Sequence, residues 1–137
     1  MVKKVIFGFF LLVIIGIIVY FLFITNFKIF DNPAETTLKV ECDYEGLRKI
    51  KMTEVSGDAT ANGSIHIYAS DCNYEESTNL ENIFVADAPN IEPSDVSFEW
   101  KGFDTLTITY RHDLRIFKKL AKSKMVKPTI IFEYVTK

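Results

Sequence analysis

The chain changes its hydrophobic rhythm once. From Val5 to Ile24 (VIFGFFLLVIIGIIVYFLFI) no position carries a charge, whereas beyond Thr36 apolar and polar residues alternate. The first pattern predicts a helix that is apolar on every side and about 30 Å long, the thickness of a hydrocarbon core. Val and Ile are weak helix formers in water, but lipid offers the backbone no other partner and enforces the helix. Gly8 and Gly16 lie two turns apart and do not make the GxxxG spacing of a packing motif. A cleaved signal peptide would have a shorter apolar core and a small-x-small site after it. Here the run continues into Thr25-Asn26-Phe27-Lys28-Ile29-Phe30, and Cys42 lies too far downstream to serve as a lipoprotein cysteine. An uncleaved transmembrane helix is expected over 5–24, behind a basic cytoplasmic leader over 1–4. Lys3 and Lys4 in that leader place the remainder outside the cytoplasm by the positive-inside rule.

Residues 25–36 read as a juxtamembrane linker with Asn32-Pro33 as its break. The period of two then predicts strands in an extracytoplasmic β domain over 37–137. Leu38, Val40 and Cys42 alternate with charged residues, as do Ile50 and Met52. After the turn-like stretch Gly57 to Gly63 come the strand Ile65 to Tyr68, a polar loop over Asp71 to Asn79, and the strand Ile83 to Val85. Val96, Phe98 and Trp100, then Leu106, Ile108 and Tyr110, flank Gly102-Phe103-Asp104 and predict a hairpin. Pro128 opens a final strand, Thr129 to Val135. Leu114 to Met125 fits both patterns; a short strand running into a helical turn is the preferred reading. Strands so spaced predict an all-β domain, a small antiparallel sandwich or curled meander, with no internal repeat.

The segments Asn82-Ile83-Phe84-Val85-Ala86-Asp87, VSFEW, TLTITY, RIF and the closing IIFEY resemble a group of small bacterial envelope proteins of no assigned activity. These have a leading hydrophobic segment, an N-[IV]-F-V-A-D element and a closing W…L-x-I-x-Y hairpin. The group's cysteine-containing D-C-G-A-T-T stretch is here Gly57-Asp58-Ala59-Thr60, without the cysteine. The resemblance implies a bacterial source and an envelope location, hence the cytoplasmic membrane for the anchor, and carries over no functional residue.

Of 137 residues 48% are apolar and 25% charged, which excludes a disordered or low-complexity chain. The net charge of −2 is unevenly spread. Glu41 to Asp104 holds 14 acids against 4 bases, and Thr105 to Lys137 holds 2 acids against 8 bases. The two regions either pair inside the fold or present faces of opposite sign, of which one steers a charged partner. The acidic middle excludes a nucleic-acid role. An exposed acidic patch would include Glu75, Glu76, Glu81, Asp87, Glu92 and Asp95, and these are the candidate partner-binding residues.

Cys42 and Cys72, an even pair outside the cytoplasm, are a disulfide candidate; otherwise they are two unlinked cysteines. The histidines, His66 on its strand opposite Ile65 and Ile67 and His112 in a polar turn, read as surface residues rather than as catalytic bases. Asp71, Asn73 and Glu75 alternate like calcium ligands, but Glu76 and Asn82 stand where that loop needs Gly and Glu. Asn62-Gly63-Ser64 reads as a turn. No nucleophile elbow, phosphate loop or HExxH is present, and no catalytic residue, metal or cofactor is expected. The expected function is a non-enzymatic domain that binds a protein partner at the outer face of the membrane, as an immunity or exclusion protein or an accessory subunit of an envelope complex would. A small envelope hydrolase or metal-dependent enzyme, or a ligand or lipid sensor, is the alternative.

Overall fold

The computed structural model describes residues 2–26, 34–57, 62–73 and 80–137. The chain divides into two compact units, Met1–Asn32 and Pro33–Lys137. In the first, helix α1 runs over Val2–Asn26. Its described apolar side chains, including Phe10, Leu12, Ile17 and Phe21, are exposed all along it. Among the described residues no helix is long and apolar enough to cross a membrane. The span expected over 5–24 therefore remains an expectation from the sequence.

The second unit is a two-sheet β structure. Strands β1 (Glu35–Cys42), β2 (Arg48–Val55), β3 (Gly63–Asp71), β4 (Glu81–Ala88) and β7 (Arg115–Lys119) form a five-stranded sheet in that order. Strands β5 (Val96–Trp100), β6 (Thr105–Tyr110) and β8 (Ile131–Thr136) form a three-stranded sheet. Alternation in the sequence becomes alternation in burial: Ile50, Ile65 and Ile67 face Phe98, Trp100, Leu106 and Ile108 in one core. On β4 two consecutive residues, Ile83 and Phe84, are both fully buried. An irregularity in the β3–β4 register beside Ile67 and Tyr68 makes this possible, because a bulge shifts the face on which following residues fall.

Two expectations are corrected. The domain is not antiparallel throughout, since β8 pairs with β6 in parallel. The intervening strand β7 belongs to the other sheet, so the chain reverses twice before it returns beside β6. The segment after β7 makes no helical turn, although its spacing allows one. Its backbone groups bond to distant partners instead: the Lys124 and Met125 amides donate to Glu81, and Ser123 exchanges bonds with Ile130. Phe117 and Met125, which a helical face would have buried, are exposed. The final strand accordingly opens at Ile131 rather than Thr129.

The sheets are latched along one side by β1. The Lys39 ammonium donates to the Phe98 carbonyl at 3.1 Å and lies 4.3 Å from the Phe98 ring centre. The Tyr44 hydroxyl donates to the Trp100 carbonyl at 3.4 Å.

Candidate functional site

The acids that the sequence nominates do not form one exposed patch. Glu75 and Glu76 lie outside the described residues. Glu81, Asp87 and Asp95 are buried, and each has an internal partner. Glu81 accepts from the Lys124 amide at 2.8 Å. Asp87 takes a two-pronged bond from Arg115, at 2.9 and 2.5 Å, and that bond above all holds its carboxyl below the usual range. Asp95 accepts from Arg111 at 2.7 Å and from the Glu92 amide at 2.8 Å. Of the six, only Glu92 is described and exposed. For Asp87 and Asp95 the charge asymmetry is resolved as ion pairing within the fold, whereas Glu81 is held by backbone amides.

The histidines stay apart. His112 caps a turn, its ring nitrogen 3.3 Å from the Lys137 carbonyl. His66 stands on the outer face of the larger sheet, as its alternation with Ile65 and Ile67 required. It lies 3.0 Å from Ser64 Oγ through Nε2, and 3.1 Å from Tyr68 Oη and 3.4 Å from Asn82 Nδ2 through Nδ1. Burial lowers its pKa, against an opposing pull from Glu35. Among the described residues no three of His, Cys, Asp and Glu converge as metal ligands.

A different set of residues converges at the end of the domain remote from Glu35. Its base is the disulfide between Cys42 and Cys72, with Cα atoms 5.8 Å apart. Cys42 ends β1 and Cys72 follows β3, so the bridge closes over the start of β2, which lies between them. There Asp43 and Gly46 shape a tight turn. Gly46 takes φ of 69°, where a side chain would be strained, and the Asp43 carboxylate accepts from the Leu47 amide at 2.8 Å.

Arg48 follows this turn and is fully buried. Its Nε donates to Asp43 at 2.5 Å. Its Nη1 reaches the Pro128 carbonyl at 3.2 Å and Asp104 at 3.4 Å, and its Nη2 donates to the Phe103 carbonyl. The guanidinium lies 5.4 Å from the Trp100 ring centre. A planar fork with five donors suits this task, because one side chain ties the β1–β2 turn, the β5–β6 turn and the segment before β8. Burial pushes the Asp43 carboxyl up, but the bonds from Arg48 and from the Leu47 and Arg48 amides outweigh it and hold the group below its usual range.

On this base stand two exposed rings. Tyr44 is 71% exposed and Phe103 66%, and they meet edge to face with centroids 6.3 Å apart. Leu47 beside them is 45% exposed. Large apolar side chains on a turn are ordinarily mobile and costly in water; here both turns are clamped from below. The backbone beneath both rings is thereby held, and Tyr44 is held through its hydroxyl as well, which lowers the ordering cost of a contact made there.

No family model, characterised protein or solved structure matches the chain.

Sequence reasoning missed Tyr44, Leu47, Phe103 and Arg48. One signal was present: an aromatic residue at the head of each of two turns, Asp43-Tyr44-Glu45-Gly46 and Gly102-Phe103-Asp104. Nothing in the sequence marks Arg48 as buried among eight-residue β2's charged neighbours Lys49 and Lys51.

Proposed function

We propose that this chain is a membrane-anchored, non-enzymatic β domain that binds a protein partner at the outer face of the bacterial cytoplasmic membrane. The role is that of an immunity or exclusion protein or of an accessory subunit of an envelope complex. The contact is made by Tyr44, Leu47 and Phe103. The observation that carries this reading is the exposed Tyr44–Phe103 pair seated on the buried Arg48. Rigid aromatic anchors are the residues that dominate interface energies. The anchor is supported by the uncharged run over 5–24 and by the apolar exposure along α1, which water would not favour. The disulfide supports an oxidising compartment.

The test places a photo-crosslinking amino acid at position 44, 103 or 118 of the full chain in its native membrane. A discrete protein adduct from positions 44 and 103, lost on Leu47→Ala, is expected. An adduct from position 118 alone would overturn the assignment of the contact.

A further inference from the structure

The aromatic pair has a distinctive electrostatic setting. The domain seats a cation on an aromatic ring repeatedly. Lys39 lies 4.3 Å from the Phe98 centroid, Arg115 4.7 Å from Phe117, Lys119 4.5 Å from Tyr134, and Arg48 5.4 Å from Trp100. Among the described residues, no cation sits on Tyr44 or Phe103, the most exposed aromatic side chains of the β domain. Carboxylates flank them in the same turns. Glu45 is exposed and follows Tyr44; Asp104 follows Phe103 with its side chain 64% exposed. Asp71 is exposed where β3 ends opposite Arg48.

The positive charge of Arg48 balances these acids only in part. Its side chain is 1% exposed and bonded to the equally buried Asp43, and it reaches one oxygen of Asp104 at 3.4 Å, while that carboxylate stays 64% exposed. Lys101, at the other end of the Phe103 turn, is held by Glu133 at 2.8 Å. Lys49 belongs to the opposite face of the sheet from Arg48, since neighbours on a strand point to opposite sides. The tip therefore offers open π faces bordered by carboxylates, a combination that attracts a positive charge twice over, through the ring quadrupole and through the acids.

Resting on the reading above, we infer that the partner's contacting group is cationic, an arginine or lysine side chain that lies on the Tyr44–Phe103 pair and bonds to Glu45 and Asp104. Arginine fits best, because its flat guanidinium stacks on a ring while its edge donates to a carboxylate.

The probes are three capped pentapeptides on a glycine background, carrying two arginines, two norleucines or two glutamates. They are titrated against the full chain in nanodiscs of zwitterionic lipid, with the aromatic carbons of Tyr44 and Phe103 followed by NMR. The arginine peptide should shift both rings saturably, the glutamate peptide should not, and the shift should weaken as salt rises from 0.1 to 1 M. Glu45→Gln combined with Asp104→Asn should weaken the arginine peptide about tenfold. Equal binding of the arginine and norleucine peptides, or no change in the double variant, would overturn the cationic assignment while the apolar tip stands. No shift from the arginine peptide would overturn it as well. If positions 44 and 103 also yield no crosslinked adduct, the tip itself is lost as a contact.

Discussion

Replacing Arg48 by methionine isolates what the buried guanidinium does. Methionine keeps most of the apolar stem, so the change removes charge and donors rather than volume. Four acceptors lose their donor: Asp43, Asp104, and the carbonyls of Phe103 and Pro128. The Asp43 carboxylate, 1% exposed, is left without its counter-charge. Removing one member of a buried ion pair costs about 3–5 kcal/mol, a large share of the roughly 5–15 kcal/mol that holds a domain together. Adding Asp43→Asn should return about 1–3 kcal/mol, because a neutral amide is cheaper to bury unpaired, and its oxygen still accepts from the Leu47 amide. The assay is urea unfolding of the full chain in non-ionic micelles, followed by the fluorescence of Trp100, the chain's one tryptophan, over which the guanidinium lies. A loss below about 1 kcal/mol for Arg48→Met would refute the clamp. So would a double variant less stable than the single one. Acid offers a second check on the same pair. Because the folded pKa of Asp43 lies below the unfolded one, its contribution is complete above about pH 4 and is lost as the pH falls through the folded value.

Cys42→Ser with Cys72→Ser should lower stability by about 3–4 kcal/mol in the chain-entropy model, read as the urea midpoint with and without reductant. Reductant should have no effect on the double variant. Trp100→Ala, at a position 4% exposed, should cost about 3–5 kcal/mol by circular dichroism; a cost under about 1 kcal/mol would mean that the ring is not core. His66 has a folded pKa lowered by burial, so the unfolded chain binds its proton first as the pH falls. Its share of stability is present above about pH 6.5 and lost below it, and His66→Gln should flatten a Tm profile over pH 5–7. A periplasmic-active reporter fused after Lys137 should be active outside the cytoplasm; activity inside would reverse the proposed topology.

Most strands were legible because one face of each is buried and the period of two is then strict. The hairpin of β5 and β6 is the clearest instance, with Trp100 opposite Leu106 and Phe98 opposite Ile108 as the alternation requires. The segment after Lys119 was not legible, since its helical spacing lost to partners that are remote in sequence: Glu81 lies 43 residues from Lys124. The parallel return of β8 was illegible for a similar reason. Strand periodicity carries no direction, and only the transfer of β7 to the other sheet decides it. Of the candidate surface, the acids were nominated as charges without knowledge of their partners. Arg111 and Arg115 took Asp95 and Asp87 out of that set, an outcome that composition anticipates only as a balance of sign. The tip depends on two turns far apart in sequence that meet only when the sheets stack. Its aromatics could be read singly, but not as a pair.

The bonds from Lys39 and Tyr44 to β5 bear on how the domain behaves at high concentration. β5 is an end strand of its sheet, and such a strand ordinarily leaves a row of carbonyls and amides open to a passing chain. Here the carbonyls of Phe98 and Trp100, two residues apart and so on the same side, are already occupied. An incoming strand would have to displace an ammonium and a phenol to bond to these two carbonyls. Lys39→Ala should therefore reveal itself less in the melting temperature than in slow fibril growth at high concentration, seeded by strand pairing along β5.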